Sequence, residues 1–379
     1  MISYGDGKTW CFQLQTKEPS FNIFDRPRFP FRREIMKRRL PAEWEPQDAV
    51  LLGWPHEQSD WASCLEQVEP VFIEIARTIS RYEKVLIPAP EPERTGQILR
   101  QAGCEPASIT IYPVPTNDTW CRDFGPVSVY DEDSPRLLDF GFNGWGLKFA
   151  SDRDNRVNRR LHSAGAFGST PLKVEGMVLE GGSIDSDGRG TVLTTSRCLL
   201  EPNRNPHMNR SEIELELKNR LGADRILWLE KGFLEGDDTD AHIDTLARFC
   251  PDNTIAFVGC DDPEDSHYPA LTAMKAELGS FRNKLGKPYR LVPLPWPQPC
   301  FAPDGHRLPA TYANFLIINK AVLVPTYRDK KDHVALKAIQ QAFPERDIIG
   351  IDCLELIRQH GSLHCVTMQL PKGFISCVR

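Results

Sequence analysis

The sequence predicts an α/β protein built on mixed sheets, and three observations carry that expectation. Short apolar runs of strand length recur along the chain, stretches with helical spacing fall between them, and two of the predicted connections are tight enough to be hairpins. Hairpins combined with strand–helix alternation mean sheets with both antiparallel and parallel neighbours.

Residues 1–39 lack a clear period, and DRPRFPFRREIMKRR is dense in Arg, Lys and Pro. They read as an N-terminal extension, disordered or an over-extended start with Met36 as the initiator. Residues 40–379 read as one domain, with no low-complexity linker. DAVLLGWP (48–55), KVLIPAP (84–90), ITIYPVP (109–115), VSVY (127–130) and RLLDFGF (136–142) read as strands. LEQVEPVFIEIARTISRY (65–82), SEIELELKNRL (211–221) and HVALKAIQQAF (333–343) have helical spacing. One hairpin turns at SDGRG (186–190), the other at NK (319–320) inside YANFLIINKAVLVPTY. Thirty-one prolines, many at strand ends, predict numerous tight loops.

Composition excludes several classes. No apolar run approaches the length of a membrane span, and the N-terminus lacks the apolar stretch of a secretory signal. Eleven cysteines without a CxxC pair argue against zinc ribbons and disulfide frameworks and fit a reducing cytoplasm. A net charge of −6 disfavours nucleic acid and is compatible with a small cationic substrate. A homodimer is compatible with the sequence.

Four polar clusters sit at predicted strand ends, where loops collect functional groups. NDTWCRDFGP (117–126) offers the flat face of Trp120 and the carboxylates of Asp118 and Asp123. LEGGSIDSDGRG (179–190) places Glu180 before two glycines, where another group can approach closely. GDDTDAHIDT (236–245) is the richest: His242 and Asp244 are two apart and share a face of an extended segment, with Asp238 and Asp240 ahead of them. Such crowding of acids calls for a cation, and a metal or an organic cation would each satisfy it. QHGSLHCVTMQLP (359–371) contains His360, His364 and Cys365. Its thiol is a nucleophile, a metal ligand or inert packing, and meeting His242 in space would give it the ingredients of thiolate catalysis.

A guanidinium substrate would use such a set. Its planar fork matches two carboxylates. Its charge-delocalised carbon is a poor electrophile, so an in-line thiolate and a proton for the departing nitrogen are needed.

Six blocks in order, PAEWEPQDAVLLGWPHEQSDW, NDTWCRDFGP, LEGGSIDSDGRGTVLTTSRCLLEPNRNP, DDTDAHIDT, YANFLIINKAVLVPTY and GSLHCVTMQLP, resemble agmatine deiminases and the related bacterial peptidyl-arginine deiminases. The likeness runs from about Leu40 to Pro371. It implies the pentein fold, a five-bladed pseudo-symmetric α/β propeller of ββαβ-type units, and cofactor-independent hydrolysis of agmatine to N-carbamoylputrescine and ammonia in polyamine metabolism. It implies Cys365 as the covalent nucleophile, His242 as the acid–base, and Asp123 and Asp244 as the grip on the guanidinium. Trp120, Glu180, Asp238 and Asn314 would bind substrate, and no metal is implied. Two departures bear on substrate choice. Ala241 stands where the family often has Gly, and HGSLHC replaces a glycine run ending in IHC, so His360 and Ser362 would reshape the mouth of the pocket.

Rival readings keep or change the chemistry. A peptidyl- or free-arginine deiminase would need Arg122, Arg197 or Arg204 to face the pocket. An amidinotransferase would replace water by an amine, a metal-dependent hydrolase would survive loss of Cys365, and a non-catalytic binding protein would use the set only to bind.

Overall fold

The structure is a computed structural model that describes residues 38–375. Residues 1–37 of the expected N-terminal extension lie outside the described residues. Its last two, Arg38–Arg39, pair antiparallel with strand Val127–Asp131, and Arg38 grips Asp131 through Nε (2.6 Å) and Nη2 (3.0 Å).

The sheets are mixed, as expected, and one arrangement occurs five times among the described residues. An antiparallel pair is followed by a helix and then by a strand parallel to the second member of the pair. Ser134–Gly141, Thr191–Thr195, Thr254–Val258 and Ala321–Thr326 are such second strands, each paired antiparallel with the strand before it. Their parallel partners are Leu172–Val178, Arg225–Leu229, Arg290–Leu294 and Asp347–Asp352. The fifth unit joins the chain ends: Thr367–Pro371 pairs antiparallel with Gln47–Leu52, which runs parallel to Lys84–Ala89, itself parallel to Ile109–Pro113. The crossovers contain helices Leu65–Ile79, Val157–Ser163, Arg210–Leu221, Tyr268–Ser280 and Asp332–Ala342. Each sheet is open, and none closes on itself. No described helix is long and apolar enough to cross a membrane.

The sequence explains these elements locally. Central strands such as Ala321–Thr326 are apolar runs buried almost throughout, as expected of strands covered on both faces. Helix Arg210–Leu221 begins with a capping box between Asn209 and Glu212 and ends at Gly222, whose φ of 71° suits glycine. On its outer face Lys218 and Arg220 pair with Glu214 and Glu216, one turn earlier.

A charge cluster lies beneath the C-terminal strand. Glu43 accepts from Arg122 Nη1 (3.1 Å), from Arg248, from Gln369 (2.9 Å) and from His364 Nε2 (2.9 Å). Arg122 and Arg248 are almost wholly buried. Burial opposes the Glu43 anion, but Arg248, His364 and Arg122 hold its pKa well below the usual range. Glu43→Ala would leave two buried guanidinium groups short of their counter-ion. Its expected cost is ~3–5 kcal/mol, measured by urea unfolding, and a loss below ~1 kcal/mol would contradict this account.

Candidate active site

Each of the five connections between units supplies a residue to one place. Trp120 and Asp123 precede strand Val127–Asp131, Glu180 and Gly182 precede Ile184–Ser186, and His242 and Asp244 precede Ala247–Cys250. Asn314 precedes Leu316–Ile318, and Cys365 precedes Thr367–Pro371. The segment holding His242 and Asp244 is not the expected extended run. Ile243–Thr245 is a turn of 3₁₀ helix with His242 at its start, and both side chains still reach the same place, the space beside Gly182.

Asp244 is the junction. Its Oδ2 lies 2.8 Å from His364 Nδ1 and 3.7 Å from Cys365 Sγ, and it accepts from Asn314 Nδ2 at 3.2 Å. The same Asn314 amide donates to Cys365 Sγ at 3.2 Å, while its Oδ1 accepts from the backbone N–H groups of His364 and Cys365. Arg122 N–H donates to the Cys365 carbonyl at 3.0 Å, fixing the loop from the other side. Asp123 accepts from Trp145 Nε1 (2.9 Å) and Gly182 N–H (3.0 Å), and its Oδ1 lies 3.6 Å from His242 Nδ1. Asp244 Oδ1 and both ring nitrogens of His242 are buried and make no hydrogen bond among the described residues. Unsatisfied acceptors and donors at this depth are costly unless something arrives to meet them.

At Gly182 and Gly361 the side chains of the site approach too closely for a Cβ. A Cβ on Gly182 would sit 2.6 Å from His242 Nδ1 and 2.8 Å from Asp123 Oδ1, and one on Gly361 would sit 2.2 Å from the Trp120 ring. The small Gly361–Ser362 pair ahead of Cys365 therefore makes room for Trp120, which also packs on Trp61 (ring centroids 5.7 Å apart).

A cavity with an empty volume of about 410 Å³ opens on this group. Cys365, Asp123 and Trp120 line it, together with Asp60, Asp118, Asp238, Trp145, Phe149 and His360, and no Lys or Arg does. Glu180, Asn314, His242 and Asp244 stand behind that lining, His242 and Asp244 next to Asp123 and Cys365. Glu180 is fully buried and held by Arg204 Nε at 3.1 Å. Ser362 is also buried, bonded to Tyr327 rather than lying at the mouth. Arg122 and Arg204 are committed to Glu43 and to Glu180 with Asp240, while Arg197 lies over the Phe233 ring.

The electrostatics are those of several buried carboxylates and a thiol around one imidazole, that of His242. Burial, then the charges of Asp244 and Asp123, push the Cys365 thiol well up. Burial pushes Asp123 up to about 6 against the pull of His242, with Asp244 and Glu180 adding to the rise. Burial opposes the His242 imidazolium, yet Asp123, Cys198 and Glu180 raise its pKa well above the usual value. Burial would also raise Asp244, but His364, then His242 and Arg248, keep it low. Near the mouth, burial lifts Asp118 to about 7 and Asp238 to about 6.

The family model of Porphyromonas-type peptidyl-arginine deiminases matches residues 39–371. The chain belongs to this family. It is accordingly a hydrolase of carbon–nitrogen bonds in linear amidines. Agmatine deiminase of Pseudomonas aeruginosa is 32% identical over 356 residues, 88% of this chain and 95% of the relative. Among solved structures, a Porphyromonas gingivalis protein provisionally assigned as an arginine deiminase is 50% identical, with a TM-score of 0.85 over 90% of this chain and 100% of that one. A Cys→Ser variant of the C. jejuni agmatine deiminase with substrate bound is 42% identical, with a TM-score of 0.82 over 89% and 97%.

Sequence reading alone overlooked the supporting residues Glu43, Arg248 and Trp145, whereas the glycine pair after Glu180 was marked for close approach and Gly182 makes it. Glu43 and Gly182 lie inside the quoted blocks, but no spacing rule marks a carboxylate 321 positions from His364 as its partner. Gly182→Ala tests the close packing of His242 on Asp123. Its φ needs no glycine, so the fold is expected to survive by circular dichroism while kcat/KM drops by ~100-fold or more, since small misplacements of reacting groups are costly. Wild-type kcat/KM in this variant would contradict the placement.

Proposed function

We propose that the chain is an agmatine deiminase: it hydrolyses agmatine to N-carbamoylputrescine and ammonia through a covalent amidino-cysteine on Cys365. The observation that carries this choice is the cavity wall, with Asp60, Asp118, Asp123 and Asp238 and no Lys or Arg. Agmatine is a dication, and each of its ends gains from carboxylates. Arginine and peptidyl-arginine bring a carboxylate or peptide in place of the distal ammonium, and among the described residues no Lys or Arg lines the cavity to receive it; His360 is the one basic side chain there, and it stands beside Asp238. The relatives named as agmatine deiminases point the same way. The arginine-deiminase reading, favoured by the 50% identical P. gingivalis protein, is the rival.

In this reading Asp123 and the free Oδ1 of Asp244 take the guanidinium N–H groups, and Trp120 stacks along its plane. The arriving cation offsets the two carboxylates, so Cys365 gives its proton to solvent water and the thiolate attacks the guanidinium carbon. His242, held as imidazolium, gives its proton to the departing nitrogen, and ammonia leaves. The neutral imidazole then takes a proton from water, whose oxygen attacks the amidino carbon. Collapse of that adduct expels the thiolate, the proton lost from the hydroxyl ends on the released ammonia, and Cys365 regains a proton from solvent as the product leaves. Glu180 orients His242 from behind. We also read the five units as blades around this cavity; the support is that every inter-unit connection contributes to it.

Three measurements test the proposal. Turnover of agmatine, free arginine and a C-terminal-arginine peptide should favour agmatine, and preference for the peptide would refute the substrate. Cys365→Ala should lower kcat by ~10³-fold or more, and mass spectrometry should find the amidino adduct on the peptide holding Cys365 and on no other. A cationic substrate needs ionised carboxylates, and Asp123 and Asp238 lie near 6. The sign is therefore a kcat/KM that falls as pH drops through about 6; a flat profile down to pH 5 would contradict it.

A further inference from the structure

On the side of His242 away from the cavity, three ligand-type side chains meet. Glu180, Cys198 and His242 each offer one donor atom, all within 4.8 Å of one another. All three residues are buried. His242 Nε2 lies 3.8 Å from Glu180 Oε2, and Cys198 Sγ lies 3.9 Å from the same oxygen. The imidazole distance is that of a loose ion pair rather than a hydrogen bond, and Nε2 makes no hydrogen bond of good geometry among the described residues. For a shared ion the spacing is close to right. Three atoms so separated have a common centre about 2.2–2.5 Å from each, against zinc bond lengths of about 2.0–2.3 Å.

We propose that Glu180, Cys198 and His242 form a zinc site, with carboxylate oxygen, thiolate sulfur and imidazole Nε2 as ligands, and that its occupation inhibits the enzyme. Mixed oxygen, nitrogen and sulfur donors select zinc over magnesium or calcium. The surroundings already hold the ligands in place. The Thr195 hydroxyl accepts from Cys198 N–H (3.2 Å) and donates to the Ala241 carbonyl (2.7 Å), tying the cysteine to the histidine loop. Arg204 orients Glu180, and its charge is shared with Asp240, so the carboxylate keeps capacity for an ion. Binding releases the thiol proton and any Nε2 proton, so affinity rises with pH. An ion on Nε2 leaves the ring unable to alternate between imidazolium and imidazole at Nδ1. The inhibition rests on the role given to His242 above; the binding does not.

The probe is Co²⁺ for spectroscopy and Zn²⁺ for turnover and diffraction. One Co²⁺ per chain should give a thiolate-to-cobalt charge-transfer band in the wild type and in Cys365→Ala, and lose it in Cys198→Ser and Cys198→Ala. Zinc should inhibit agmatine turnover reversibly with EDTA, and Cys198→Ser should raise the half-inhibiting zinc concentration by ~10-fold or more relative to its own metal-free rate. If both Cys198 variants unfold, zinc-edge anomalous diffraction from wild-type crystals decides. A peak among the three residues supports the site. A peak on Cys365 or elsewhere, or no binding by the wild type, overturns it. Binding at the three residues with zinc-insensitive turnover overturns the inhibition and the assignment of His242 while leaving the site.

Discussion

Two carboxylates kept buried beside a thiol, with no Lys or Arg in hydrogen-bond contact among the described residues, set the terms for everything else in this molecule. Asp123 and Asp244 are each held by neutral donors or histidines: Trp145 and Gly182 on one, Asn314 and His364 on the other. Buried anions are costly, and the His242 imidazole beside Asp123 and His364 beside Asp244 offset that cost only in part. Asp123 is left with a pKa of about 6, and Cys365 is kept as a thiol. In the proposed function a guanidinium relieves both strains at once, and its binding and the activation of Cys365 become one electrostatic event.

The charge cluster below makes this arrangement affordable. His364 joins Asp244 to Glu43, and Glu43 is surrounded by Arg122 and Arg248. Positive charge thus sits one layer behind Asp244, near enough to keep it ionised yet not in contact, so Oδ1 remains free. A direct Arg–Asp244 pair would satisfy the carboxylate in the resting protein and leave the substrate little to gain.

Much of the fold was legible in the sequence because its signals are local. The strand Lys84–Ala89 and helices Leu65–Ile79 and Arg210–Leu221 follow from apolar runs, helical spacing and caps within a few residues. Both hairpins, at 186–190 and 319–320, appear where their turn residues place them. The strands Ala247–Cys250 and Thr254–Val258 were not singled out, although their apolar runs are as plain. The site was legible by residue type but not by direction. Asp238 and Trp120 reach the cavity, whereas Glu180, equally acidic and equally near a glycine pair, turns inward to Arg204. Direction depends on which distant loop supplies the counter-ion, and that is information of long range.

Ala241 shows how a local departure can be read afterwards in physical terms. Its φ is 65° and that of Asp240 is 66°, a left-handed region in which glycine is at ease and alanine is strained. The strain is held by two sets of bonds. Asp237 accepts from Ala241 N–H at 2.6 Å, and Asp240 is fixed by Lys148 at 2.8 Å and by Arg204. The crowded acids of this loop therefore divide their labour: Asp237 and Asp240 shape the backbone, Asp244 meets the nucleophile, and Asp238 faces the cavity. What the sequence presents as one acidic run demanding one cation is, in three dimensions, a strained turn whose charges are answered separately, leaving only the cavity-facing carboxylates for a ligand.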